Sequence, residues 1–318
     1  MSLVKHRLQL SLQLPVPEVK NSEFIPFIHL SKPKINASQE VADLLDLEKL
    51  CVLGHGNHGT VYKVRHRQTS AIYALKIIRG DPDDSQQPYQ PSHEMKILLS
   101  MDSPFIIKCL GTYESTAGEK AIVMKYMDAG ALDTLVKANG PFSESSIAHI
   151  GYQVLNGLNY LHAFNIVHLD IKPSNLLVDK NMNVKIGDFG VSKIMRENEA
   201  PDYWDIYVGT YAYMSPERLD SNSYDYRYVY AADIWSLGVT LLELYVGHFP
   251  FLPPGKKPNW MQLVLITRFG EPLSLPEEAS AEFRSFISCC LQKEPSKRWT
   301  ASQLLSHPYI CTNRRLED

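Results

Sequence analysis

The run His168-Leu169-Asp170-Ile171-Lys172-Pro173-Ser174-Asn175, followed by Asp188-Phe189-Gly190, constrains this chain more than any other feature. It gathers two carboxylates, an ammonium and a carboxamide into neighbouring loops. Upstream stand Gly54-His55-Gly56-Asn57-His58-Gly59-Thr60-Val61 and, beyond them, Lys76. In that order the segments compose a site for phosphoryl transfer: a glycine turn and a lysine for phosphates, a loop with a proton acceptor, and an aspartate for a metal ion. Such chemistry asks for positioning and charge compensation more than for covalent steps. A fold that serves it must hold segments far apart in the sequence around one cleft.

Short apolar runs at 50–54, 61–64 and 72–78 read as the first strands of an antiparallel sheet. The polar, proline-bearing stretch 81–91 reads as a loop. Ser92 is expected to cap a helix with Met95, Leu98 and Leu99 on one face. Runs at 106–110 and 121–127 would complete five strands. Further on, Ile147, Ile150, Val154, Leu155, Leu158 and Leu161 recur at helical spacing and predict a long buried helix. Residues 234–246 predict a second helix, and Phe283, Phe286, Ile287 and Leu291 a third. The expected class is α+β with two lobes: a small antiparallel-sheet lobe with one main helix, about 47–127, and a larger helical lobe, about 128–309. A proline-punctuated flexible tail, 1–46, precedes them and a short tail, 310–318, follows. With 318 residues, 44% of them hydrophobic and 21% charged, the chain can bury such a core.

A net charge of −3 speaks against a nucleic-acid or membrane-surface protein. The five cysteines, Cys51, Cys109, Cys289, Cys290 and Cys311, show no CxxC spacing. They predict reduced thiols in the cytoplasm or nucleus, not a disulfide framework or a zinc site. No apolar run reaches the roughly 18–20 residues of a transmembrane helix. Lys5, His6, Arg7, Gln9 and Gln13 interrupt any signal-peptide core.

Gly54, Gly56, Gly59 and Val61 fit G-x-G-x-x-G-x-V, a glycine spacing that dinucleotide-binding turns share. Those turns lead from a strand into a helix. Here another strand is expected after Gly59, so the glycines sit at a hairpin tip, where bare backbone N–H groups can approach phosphate oxygens. A plain glycine-rich turn would look the same. His55 and His58 are expected to be exposed there, and either, once protonated, would attract phosphate. Lys76 lies in the apolar run Tyr73-Ala74-Leu75-Lys76, an unusual place for an unpaired lysine. Glu94, near the start of the following helix, is the expected partner; the alternative is a snorkelling edge lysine and a dipole-favoured surface glutamate. Residues 124–127 would join the lobes, with the Lys125 carbonyl and the Met127 N–H offered to adenine and Met124 at the back of the pocket. In the loop, Asp170 would accept the substrate hydroxyl proton and Lys172 would neutralise the transferred phosphate. Asn175 and Asp188 would hold magnesium.

With Ser215-Pro216-Glu217, Asp233-Ile234-Trp235-Ser236-Leu237-Gly238 and Arg298 added, the chain resembles the eukaryotic protein kinase family over residues 47 to about 309. The resemblance implies ATP and Mg2+ as cofactors. It implies a nucleotide site lined by Leu53, Gly54, His55, Gly56, Asn57, His58, Gly59, Val61, Ala74, Lys76, Met124, Lys125 and Met127, and a pairing of Glu217 with Arg298. Val191-Ser192-Lys193, Tyr213-Met214-Ser215-Pro216-Glu217-Arg218 and Trp299-Thr300-Ala301 with His307-Pro308 are similar to MAP kinase kinases, and residues 249–260 to the plant branch. The activity so implied is phosphorylation of a downstream MAP kinase on threonine and tyrosine, with an upstream kinase as a further partner.

The chain departs from that family at two places. Leu169 stands where the family has an arginine beside the catalytic aspartate. Counting back from Gly209-Thr210, the two phosphorylatable positions of the plant branch fall on Ala200 and Ile206. No Ser or Thr occurs from Glu197 to Asp205, a segment that carries Glu197, Glu199, Asp202 and Asp205 instead. The family's arginine clamps an activation-segment phosphate of about −1.5 to −2 charge. Without the phosphate it would be a partly buried, unpaired cation, and leucine removes that desolvation cost. The two losses read as coupled, in a kinase that has left the phosphorylation-controlled switch. The alternative is a pseudokinase or scaffold that binds a MAP kinase without phosphoryl transfer; the presence of Lys76, Asp170, Asn175 and Asp188 argues for the enzyme. The acidic residues would imitate phosphate only if Lys193 or Arg196 received them, and a solvated acidic loop is the simpler reading. Tyr203, Tyr207, Tyr211 and Tyr213 leave tyrosine phosphorylation open.

In the tail, Lys5-His6-Arg7 precedes Leu8-Gln9-Leu10-Ser11-Leu12. This is similar to the MAP kinase docking motif, basic residues followed by Leu-x-Leu. Lys5 and Arg7 would meet an acidic patch while Leu8, Leu10 and Leu12 fill apolar pockets of an extended-peptide groove. A chance amphipathic tail is the alternative.

Overall fold

The computed structural model describes residues 44–56, 59–78, 91–114, 119–195, 208–219, 226–256, 259–270 and 275–314. The expected docking motif from Lys5 to Leu12, Asn57 and His58 of the glycine turn, Arg196, and the segment holding Ala200, Tyr203, Ile206 and Tyr207 lie outside the described residues.

The small lobe is built from β1 (Leu47–Gly56), β2 (Gly59–His66), β3 (Ile72–Ile78), α1 (Pro91–Ser100), β4 (Cys109–Glu114) and β5 (Lys120–Lys125). The strands form one sheet in the order β1-β2-β3-β5-β4, with every neighbouring pair antiparallel. Alternation along β3 sorts its side chains. Leu75 enters a cluster with Leu44, Leu47, Val64, Leu110, Tyr113, Ala121 and Val123. Ala74, Lys76 and Ile78 face the other way, and Ile78 joins the main core with Ile97 and Leu98 of α1.

Two expectations shift here. Helix α1 begins at Pro91, so Ser92 lies within its first turn and does not precede it as a cap. Its buried face is Glu94, Ile97 and Leu98, while Leu99 is 47% exposed. The i, i+3, i+4 face is set by the turn of Glu94 toward Lys76. The fourth strand starts at Cys109, later than the apolar run at 106–110. Ile106 instead bridges Ile186 and the Ile107 N–H donates to the Ile186 carbonyl at 2.9 Å, so these residues tie the lobes together.

The large lobe continues through β6 (Gly130–Ala131), α2 (Leu132–Asn139), α3 (Glu144–Ala163), β7 (Ile166–Val167), β8 (Leu176–Val178), β9 (Val184–Ile186), β10 (Lys193–Ile194), α4 (Ala231–Val246), α5 (Trp260–Val264), α6 (Ala281–Cys290), α7 (Ala301–Leu305) and α8 (Pro308–Arg314). Ser143 caps α3 by accepting the Ser146 N–H. The six apolar residues that predicted this helix are all buried. Helix α4 is buried nearly all round and stops at Gly247, in the left-handed conformation at φ +81. The architecture is the expected α+β, two-lobed one. All five cysteines are free. Among the described residues no helix is long and apolar enough to cross a membrane.

Candidate active site

The strand alternation that turns Lys76 inward also decides what it meets. Its Nζ donates to Glu94 Oε1 at 2.7 Å and Oε2 at 3.0 Å, and to Asp188 Oδ1 at 2.8 Å. Lys76 and Glu94 are buried, whereas the Asp188 side chain is 46% exposed in the cleft. Withdrawal from water lowers the pKa of Lys76, but the Asp188 and Glu94 carboxylates outweigh it and the lysine is held cationic. The packed walls of the cleft raise the Asp188 carboxyl even though its tip meets solvent, and Lys76, with His168 and Lys172 behind it, pulls it down to about 2.

The glycine motif lies on the β1–β2 hairpin, with Gly54 opposite Val61, His55 opposite Thr60 and Gly56 opposite Gly59. A strand follows the glycines, so the dinucleotide-binding reading falls. Gly59 sits at φ +151, where a Cβ would collide with the Ile77 carbonyl. His55 is exposed and its Nδ1 lies 3.2 Å from Thr60 Oγ1. Leu53 is exposed on the same strand and Val61 pairs with Lys76. Ala74 pairs with Met124 across β3 and β5. Lys125 ends β5 with an exposed side chain, and Met127 is buried just beyond it.

The loop after β7 takes its shape from α4. Asp233, fully buried in the first turn of that helix, accepts the N–H of His168 at 2.9 Å and of Leu169 at 2.8 Å. The same carboxylate lies 2.9 Å from His162 Nε2. Burial raises its pKa, but these bonds win and keep it ionised below the usual carboxylate range. Asp170 Oδ2 accepts from Asn175 Nδ2 at 2.8 Å and lies 2.7 Å from Lys172 Nζ. Asp170 Oδ1 accepts the Thr210 N–H at 2.8 Å, and Lys172 Nζ donates to the Thr210 hydroxyl at 2.5 Å. His168 joins this loop to the next: Nε2 lies 3.0 Å from the Gly187 carbonyl and the ring stacks edge-on to Phe189. Asp170, Lys172, Asn175, Asp188, Lys76 and Glu94 therefore come together in one cleft, and Glu217 pairs with Arg298 below it at 2.7 Å and 3.1 Å.

Leu169 is buried with Val167, Val208 and Val229, and Val191, Met195 and Tyr230 pack against them. The place beside Asp170 is thus an apolar pocket. Thr210, Asp233 and Arg218 went unassigned in the sequence. An aspartate in the first turn of a mostly apolar helix is a signal for Asp233; Arg218 bonds backbone carbonyls and Thr210 meets residues far upstream in the chain, so neither leaves one.

Comparison with known proteins agrees with the geometry. The family model described as Protein kinase domain matches residues 47–310. The chain is 49% identical over 312 residues to Mitogen-activated protein kinase kinase 7 of Arabidopsis thaliana, covering 98% of this chain and 99% of the relative. Identity to Mitogen-activated protein kinase kinase 9 of the same plant is 50% over 312 residues, with the same coverage. To Mitogen-activated protein kinase kinase 10 it is 39% over 308 residues, covering 96% and 97%.

Proposed function

Because the chain belongs to the protein kinase family, on its MAP kinase kinase branch, we propose that it phosphorylates a MAP kinase on the threonine and tyrosine of that partner's activation segment without first being phosphorylated on its own. One observation carries the second half: Thr210 already bonds Asp170 and Lys172, while the Leu169 side chain rests among Val167, Val208 and Val229 where the family's phosphate-reading arginine would stand.

In this reading Asp170 accepts the proton of the substrate hydroxyl at an oxygen held by Asn175 and Thr210. Lys172 stays close enough to compensate charge on the transferred group. Lys76, fixed by Glu94, reaches phosphate oxygens from the small lobe. The glycine hairpin, Leu53, Val61, Ala74 and Met124 enclose the nucleotide, and the Lys125 carbonyl and Met127 N–H bind its base. An ionised, half-exposed Asp188 and the carboxamide of Asn175 are oxygen donors of the kind a hard divalent cation takes. Bound there, ATP would supply the transferable group and Mg2+ would offset the charge of its phosphates. The free thiols support a cytoplasmic or nuclear site of action.

The test is transfer from MgATP to a catalytically inactive MAP kinase by protein that has met no upstream kinase, beside its Asp170→Asn variant. Transfer by the wild type alone supports the proposal. Transfer by neither, with MAP kinase binding retained, favours a scaffold that binds a MAP kinase without phosphorylating it.

A further inference from the structure

We infer that Arg218 is a positioning residue that fastens the activation segment to the catalytic loop with no phosphate needed, an inference that rests on the kinase reading above. Arg218 is the bulkiest fully buried side chain among the described residues. Its Nη1 donates to the Leu169 carbonyl at 3.1 Å and its Nη2 to the Val208 carbonyl. One carbonyl belongs to the residue before Asp170, the other to the residue before Gly209. A buried guanidinium is costly unless its donors are satisfied, and its planar fork fixes the separation of the two groups it bonds.

Everything around the fork points the same way. The side chains of Leu169 and Val208 share one apolar cluster. Gly209 sits at φ +93 with its α-carbon so close to the Leu169 carbonyl that a Cβ there would stand 2.5 Å from the oxygen. Thr210 then donates its N–H to Asp170 and accepts the Lys172 ammonium with its hydroxyl oxygen. Three consecutive residues of the segment are seated on the loop that carries the proton acceptor. In a phosphate-clamped kinase the cation at position 169 reads an added anion. The cation at position 218 instead reads two backbone carbonyls, which need no modification to be present.

The experiment compares Arg218→Met and Arg218→Lys with Gly209→Ala, which strains the same contact from the segment side and leaves Arg218 in place. Three quantities are read: kcat on an inactive MAP kinase, affinity for a fluorescent ATP analogue, and hydrogen exchange at the Thr210 amide. The expected result is a nucleotide affinity within about twofold of wild type, since the Lys76–Glu94 site is untouched, with kcat down about tenfold or more in Arg218→Met and Gly209→Ala and less in Arg218→Lys. Exchange at Thr210 should quicken by about tenfold in the same two variants. Wild-type kcat in folded Arg218→Met overturns the inference. So does an equal loss of kcat and nucleotide affinity in all three variants, which would mark general support of the fold. If Arg218→Met does not fold, Arg218→Lys and Gly209→Ala carry the same comparison. If the wild type transfers no phosphate, the kinase reading fails by itself, and unchanged Thr210 exchange in the variants then overturns the clamp separately.

Discussion

Arg298 grips Glu217 with both terminal nitrogens, Nη1 to Oε1 at 2.7 Å and Nη2 to Oε2 at 3.1 Å, across a fully buried interface. The same guanidinium donates to the carbonyls of Ala231 and Gln292. Removing one partner of such a pair strands the other charge away from water. Arg298→Met should cost about 3–5 kcal/mol in urea unfolding. Arg298→Lys should recover little of it, because an ammonium cannot span the carboxylate and both carbonyls at once. A conservative variant that melts like wild type would show the fork to be dispensable.

Acid should find the Lys76–Asp188 contact late. The Asp188 carboxyl is held down to about 2, against an unfolded value of about 4, so the pair contributes stability above that unfolded value and loses it as pH falls through about 2. Lys76→Met should therefore flatten the fall in stability over that window and leave the slope near neutrality alone. An unchanged acid limb in chemical unfolding at low pH would contradict the assignment.

Leu169→Arg places a guanidinium in the pocket of Val167, Val208 and Val229. Alone it should destabilise the protein by about 3 kcal/mol or more, and it should not raise activity. Ala200→Ser with Ile206→Ser should give little activation under an upstream kinase unless Leu169→Arg is also present. Strong activation by the two serines alone would refute the coupling between the missing arginine and the missing phosphorylation sites.

A docking role for residues 5–12 predicts a dependence on salt. Lys5→Ala with Arg7→Ala should weaken MAP kinase binding, most visibly at low ionic strength, where the Debye length is long. Replacing Leu10 and Leu12 by alanine should weaken it at every salt concentration. Titration calorimetry that returns wild-type affinity for both pairs would place the dock elsewhere.

Much of the site was legible because its parts are side chains at tell-tale spacings. The glycine hairpin followed from a strand resuming after Gly59, and the Lys76–Glu94 pair from a lysine inside an apolar strand with one helix beyond it. What stayed hidden depends on partners distant in the chain. The apolar stripe of α1 could be drawn through Leu99 as easily as through Ile97, and only the position of Lys76 decides between them. Ile106 and Ile107 looked like strand because they are β-branched; they make a bridge to Ile186 instead. Arg218 binds carbonyls, which every residue possesses, so nothing in its neighbours' identities announces the contact.

Leu169 adopts a left-handed backbone at φ +65, a conformation that costs a non-glycine residue about 1–2 kcal/mol. It is imposed from behind, by the Asp233 carboxylate on the N–H groups of His168 and Leu169, not by the side chain that residue 169 happens to carry. The shape of the loop and the means of governing it are therefore separable inheritances. A lineage can discard control by phosphate with a substitution at 169 and a few in the segment, and the proton acceptor one residue along is left where it was.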